Sequence, residues 1–243
     1  MLFPEDYIDF LKWFKEQTEF YWSQLEENEW ILNAKWQPLS VSEILEIEKK
    51  YKIQFSYEHK EFLKILHCID KMEPRMLYNE EKGEYLADRP FFYNWQKDEK
   101  EIREMLNSPY NNIDVGIQYG GWVKSWGEKP STIDEIESVL KEKYKSSPQL
   151  LPIFGHRFVV SLPNENYSPV LSIYTDVIYY GENIKHYLLH EIGYYIKKLF
   201  DYGYDEEDHC FYGNPKPELL AYKLSMIEKC KKLNIPFWSD WIH

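Results

Sequence analysis

Glycine is scarce in this chain, 10 among 243 residues, and none of the ten falls in a Gly-x-Gly-x-x-Gly turn, a P-loop or a Gly-x-Ser-x-Gly elbow. Loops that cradle phosphate need backbone that approaches the ligand closely, so nucleotide chemistry has no support. Cysteine is scarcer still: Cys68, Cys210 and Cys230 are odd in number and far apart, with no Cys-x-x-Cys pair. That excludes a dense disulfide framework and leaves buried free thiols as the expectation. Basic charge is in deficit, with 29 Lys plus Arg against 41 Asp plus Glu and a net charge of -12. Such a balance repels phosphate backbones and anionic membranes and favours basic partners, so direct nucleic-acid binding is not expected. No apolar run approaches the roughly 20 residues that span a bilayer. The opening "MLFPEDYIDF" carries acids where a secretory signal carries Lys or Arg. We therefore expect a cytoplasmic protein with no membrane association.

What is abundant is aromatic: 18% of residues, including 9 Trp and 21 Tyr. With so many rings, a good number must lie partly exposed with their polar tips wet. A hydrophobic content of 44% over this length closes one substantial core.

Along the chain, "PEDYIDFLKWFKEQTEFYW" starts with Pro4, Glu5 and Asp6, which suit a helix N-terminus, and places Tyr7, Phe10, Leu11, Trp13 and Phe14 at helical spacing. Ser42 is expected to cap a helix with Ile44, Leu45, Ile47, Glu48 and Tyr51 on its face, and Ser56 to cap the next, with His59 at its third position. Between Met72 and Gly127 the pattern loosens: a hairpin around Lys82-Gly83, a short strand at "RPFFYNW", and a helix from Asp98 to Leu106 are expected. A further helix starts at Ser131 or Thr132. Leu150 to Phe154, Phe158 to Leu162, Val170 to Tyr174 and Val177 to Tyr180 then read as strands split by hairpin punctuation, too close for crossovers and so antiparallel. Asn183 to Phe200 and Pro217 to Leu233 read as helices, with "DYGYDEEDHCFYGNPKP" as the loop between them. The order predicts an α+β fold, an antiparallel meander near residues 150–181 with helices against one side.

Candidate chemistry is thin. His186 and His190 lie four apart on a helix, but "HYLLHEIGYY" lacks the His-Glu-x-x-His register of a zincin, so two surface histidines are expected and no metal or cofactor. In His67-Cys68 and His209-Cys210 a thiol neighbours an imidazole, yet adjacent side chains on a strand or helix point apart. His156-Arg157 presents the same geometry: at most one faces the core, and a buried Arg157 would need a carboxylate such as Asp176 or Glu128. The acids Asp205, Glu206, Glu207 and Asp208, flanked by Tyr202, Tyr204, Phe211 and Tyr212, read by default as a solvated loop. Their alternative role is to receive Arg or Lys from a basic protein partner.

"GWVKSWGEKPSTIDEIESVL", "QLLPIFGHRFVVSLP" and "SPVLSIYTDVIYYGENIKHYLLHEI" resemble, in order and spacing, a bacterial branch of the SUKH superfamily, which includes yeast cell-wall-assembly regulators and bacterial toxin-immunity proteins. "LSVSEILEIEKKYKIQFSYEHKEFLKIL" resembles the helical opening of that domain, with Gln54-Phe55-Ser56 where Leu-Pro is usual and His67-Cys68-Ile69-Asp70 where Asn-Gly is usual. The resemblance covers about Leu39 to Phe200, most specifically Trp122 to Gly181, so the chain reads as a single SUKH-like domain over residues 1–243 with helical extensions at about 1–36 and 201–243 that lie outside the resemblance. It implies no catalytic residues, and Trp126, His156, Arg157, Asp176, Tyr179 and Tyr180 become structural motif positions. The implied role is a non-enzymatic immunity protein that neutralises a cognate toxin, often a nuclease, by binding it; the acidic loop read above from its charge, Tyr204 and Asp205 to Asp208, is then the candidate contact. A scaffold or regulator of cell-wall assembly is the alternative, and a hydrolase using His156, or a metal enzyme using His186 and His190, comes after both. Partner identity and oligomeric state are left open.

Overall fold

The computed structural model describes residues 2–242 except 82, 86, 175 and 208, and describes only the backbone of Asn79 and Phe211. Helix α1, Tyr7–Trp22, starts where the Asp6 carboxylate accepts the Asp9 N–H at 2.9 Å, and it buries Phe10, Leu11, Phe14, Thr18 and Trp22. The segment before it is pinned by Lys185, whose ammonium donates to the carbonyls of Pro4 and Glu5 at 2.6 and 3.1 Å and lies over the rings of Phe3 and Phe10.

Helix α2, Val41–Tyr51, is capped by Ser40 rather than Ser42: Ser40 Oγ accepts the Glu43 N–H while the Glu43 carboxylate accepts the Ser40 N–H at 2.7 Å. Glutamate three residues on makes this a reciprocal cap, which Ser42 has no equivalent partner to form. Ser40→Ala is expected to cost about 1 kcal/mol, read as a lower urea midpoint at unchanged slope. Helix α3, Tyr57–Ile65, has Ser56 at its N-cap position, but the hydroxyl is turned to the buried Ser168 hydroxyl and does not cap the helix.

In the middle of the chain, Tyr78–Asn79 pairs with Glu84–Tyr85 in the expected hairpin, with Lys82 outside the described residues. The strand expected at "RPFFYNW" shrinks to Arg89–Pro90, paired with Met72–Glu73. Phe91 and Phe92 leave it to enter the core, Phe92 at φ 65°. Helix α4 runs Glu99–Gln118, a dozen residues past the expected end and through Pro109. Proline in a helix removes one hydrogen bond, and burial of Ile113 and Ile117 beyond it offsets that loss. Helix α5, Ile133–Lys145, is capped by Thr132.

Strands β1 (Leu150–Phe154), β2 (Arg157–Val160), β3 (Val170–Ile173) and β4 (Val177–Gly181) form an antiparallel meander in the order β4-β3-β2-β1. Between β1 and β2 the chain turns on Gly155, at φ 51°, and His156, as a two-residue hairpin requires of its first central residue. Alternate side chains serve two cores. Leu151, Ile153, Val159 and Val170 join one with α1, α2, α3 and the following helix; Leu150, Phe158, Val160, Leu171, Ile173 and Val177 join another with α4, α5, Ile235 and Trp238. Helices therefore cover both faces rather than the one expected, which is why these strands read as unbroken apolar runs.

Helix α6 spans only Ile184–Glu191, capped by Asn183, and gives way at Gly193 to the 3-10 turns Gly193–Tyr195 and Lys197–Leu199. Strands β5 (Phe200–Asp205) and β6 (Cys210–Pro215) follow as a two-stranded hairpin, then helix α7, Pro217–Cys230, with proline in its first turn. The helical extension expected after residue 200 is thus a hairpin followed by a helix. Among the described residues no helix is long and apolar enough to cross a membrane.

Candidate functional site

The segment read as a loop from Asp201 is an ordered arm with six paired positions, from Phe200 opposite Pro215 to Asp205 opposite Cys210. Two of those pairs explain how a glycine-bearing ribbon holds together. Tyr202 faces Gly213 and Gly203 faces Tyr212, and each tyrosine ring lies over the glycine across from it, so that a Cβ at Gly203 would collide with the Tyr212 ring. Such aromatic cover of a cross-strand glycine compensates for its missing side chain. Gly203→Ala is expected to fray the arm, raising amide exchange over residues 201–214 without altering the global transition.

Period-two alternation gives the arm two unlike faces. Phe200, Tyr202 and Tyr204 share one, and Asp201, Asp205 and Tyr212 share the other. Tyr202, Tyr204 and Tyr212 are 56%, 48% and 45% exposed, an unusual display of large rings. At the tip the Glu207 N–H donates to the Asp205 carboxylate at 2.8 Å, which fixes the turn and leaves Glu206 and Glu207 exposed. Asp208 lies outside the described residues. Residues 200–215 hold Asp201, Asp205, Glu206, Glu207 and Asp208 with no Lys or Arg, so the arm concentrates negative charge beside exposed rings.

The other motif residues are brought into two structural ties. Arg157 faces α6, where Nε donates to Glu191 Oε2 at 3.2 Å, Nη1 donates to Ser172 Oγ at 2.7 Å, and the guanidinium lies 3.8 Å from the centre of the Tyr180 ring. Its carboxylate is Glu191, not Asp176 or Glu128, both of which are exposed. The Asp176 carbonyl accepts the Tyr174 N–H at 3.1 Å, and its carboxylate lies near His156. His156 projects from the β1–β2 turn beside Tyr174. Partial burial, with Arg157 and Arg89 nearby, lowers its pKa. The second tie binds the C-terminal segment. Tyr179 OH donates to the Leu233 carbonyl at 2.9 Å, and Trp126 Nε1 donates to Asp240 Oδ2 at 3.0 Å while its ring packs on Phe237 and Trp241.

His67 and Cys68 do approach, Sγ to Nδ1 at 3.6 Å, because His67 sits at φ 62° and breaks the alternation expected of neighbours. The imidazole is nevertheless committed. Its Nε2 accepts the Trp95 N–H at 3.0 Å, so Nδ1 carries the proton and donates it to the Gln37 carbonyl at 2.9 Å. Burial pulls His67 down to about 4 and pushes the Cys68 thiol up to about 12, so near neutrality the imidazole is neutral with both nitrogens engaged and the thiol keeps its proton. Cys230 is buried as expected, but Cys210 is exposed on β6. Of the pair expected at the surface, His190 is exposed but His186 is buried, its Nδ1 accepting the Glu182 N–H at 3.2 Å. Among the described residues no three His, Cys, Asp or Glu side chains converge as metal ligands.

Sequence reasoning located the acids and tyrosines of the arm but missed its strands. The signal was present in "FDYGYD", with aromatic residues at every second position, and in the Phe211-Tyr212 pair of "CFYGNP" across an acidic turn. Set against protein-family models, curated proteins and solved structures, the chain matches none of them.

Proposed function

We propose that this chain is a non-enzymatic protein-binding domain of SUKH type, an immunity protein that neutralises a cognate toxin by masking it. The observation that carries the reading is the arm, which offers exposed Tyr202, Tyr204 and Tyr212 together with a tip of Glu206 and Glu207. Rigid tyrosines supply contact area at low entropic cost, and concentrated acid steers a basic partner into place. A toxin that cuts nucleic acid has a basic substrate groove, to which such an arm is complementary. Support also comes from His67 and Arg157, whose polar atoms are engaged in holding the fold.

The test is binding of the cognate toxin that this reading requires, sought in the neighbouring reading frames. The triple variant Asp205→Asn, Glu206→Gln, Glu207→Gln is expected to bind about tenfold or more weakly and to lose most of the salt dependence. Unchanged affinity and salt dependence would remove the arm from the interface.

A further inference from the structure

The arm and the helix after it are charged oppositely. Against the five acids and no Lys or Arg of 200–215, residues 216–232 carry Lys216, Lys223, Lys229, Lys231 and Lys232 with only Glu218 and Glu228. Helix α7 also has two apolar faces. Leu219, Met226 and Cys230 are buried, whereas Leu220, Leu224 and Ile227, spaced i, i+4, i+7, are 49%, 55% and 46% exposed. Within one chain the arm does not lie along this stripe: its main contacts are between its own strands, and it joins the body at Lys216, whose N–H donates to the Leu199 carbonyl at 2.9 Å.

We propose that the chain forms a two-fold homodimer by exchanging arms, each β5–β6 arm lying along α7 of a second copy. A two-fold axis beside Lys216, the residue between arm and helix, sets the base of each arm against the start of the other copy's α7. The six-residue strands reach about 20 Å and the fourteen-residue helix about 21 Å, so the arm spans the helix end to end. The outer part of its aromatic face, Tyr202 and Tyr204, covers the Leu220, Leu224 and Ile227 stripe of the second copy, while Phe200 stays packed on its own core. Its acidic tip arrives at the exposed Lys229, Lys231 and Lys232 at that helix's C-terminal end. The same contact is made twice, which is what a closed isologous interface requires. The arm is the element assigned above to a foreign partner, so a toxin would compete with the second copy for it; self-association is read with no partner present, and its failure leaves that reading standing.

Charge reversal tests the exchange by sedimentation equilibrium of the full chain at micromolar concentration. One variant carries Glu206→Lys with Glu207→Lys, the other Lys231→Glu with Lys232→Glu; all four positions are exposed, so the fold is kept. The wild type is expected to be a dimer, and each variant alone to self-associate at least about tenfold more weakly. An equal mixture of the two variants is expected to recover the dimer with one copy of each, since every arm then meets a helix of opposite charge. Leu224→Glu is expected to be monomeric with an unchanged far-ultraviolet spectrum. A monomeric wild type, variants that dimerise as tightly as wild type, or a mixture that fails to pair would each overturn the proposal.

Discussion

Arg157→Ala is expected to destabilise the protein by about 3 kcal/mol, because it leaves Glu191 as a mostly buried carboxylate without its cation. For a chain of this size that is a fall in Tm of roughly 10 °C. The pair is well screened from water, with side chains 15% and 14% exposed, and Arg157 also serves Ser172 and the Tyr180 ring, so three contacts are lost at once. Burial nevertheless holds the Glu191 carboxyl above its ordinary value even with Arg157 beside it. The ion pair thus repays its desolvation only in part, and the double variant Arg157→Met, Glu191→Leu is expected to recover most of the loss. Denaturation midpoints of the three proteins check this. A single variant within about 0.5 kcal/mol of wild type would mean that the tie between sheet and α6 is incidental.

The second large effect is on stability against pH. His59, His67 and His186 are buried, and burial lowers them from 6.5 to about 3, 4 and 4. The unfolded chain therefore takes up protons near pH 6.5 that the native state refuses, and stability falls as pH drops from 6.5 toward 4. Glu58 works the other way. Burial raises its carboxyl from 4.5 to about 8, so the native state keeps a proton that the unfolded chain releases, and stability falls as pH rises from 4.5 through 8. Three groups against one give a net loss on the order of 5 kcal/mol between pH 7 and 4.5, comparable to the whole stability of a small domain. Urea midpoints are expected to peak near pH 6.5. Glu58→Gln, which keeps an acceptor for the Ser168 N–H, is expected to gain on the order of 3 kcal/mol at pH 8 and to flatten the alkaline limb. A profile level from pH 5 to 7 would show that these histidines are solvated in the native state. Both ring nitrogens of His59 are buried without a hydrogen-bond partner, so His59→Leu is expected to relieve the acid limb most.

Local signals were legible where the chemistry is local. The four core strands, the caps at Ser56 and Thr132 by position, and the starts of α1 and α7 follow from β-branched runs, hydroxyl residues and prolines. What sequence alone could not supply was tertiary. Helix α4 continues through Pro109 because Ile113 and Ile117 find a core beyond it. The sheet is covered on both faces because α4, α5 and the C-terminal tryptophans fold back. Arg157 reaches Glu191, thirty-four residues away, through a β-to-α contact that no spacing announces. The arm was hidden for a different reason. Acids and glycines depress strand propensity, and only the cross-strand cover of Gly203 and Gly213 by Tyr212 and Tyr202 makes the ribbon hold.

Hydrogen exchange of the protein, diluted to the monomer and then saturated with the cognate toxin that the proposal requires, tests the central claim most directly. Binding through the arm predicts slowed exchange over residues 200–215, strongest at the tip from Asp205 to His209, with little change at His67, His156 or His186. Protection confined to the surroundings of those histidines, with the arm exchanging as fast as before, would contradict it.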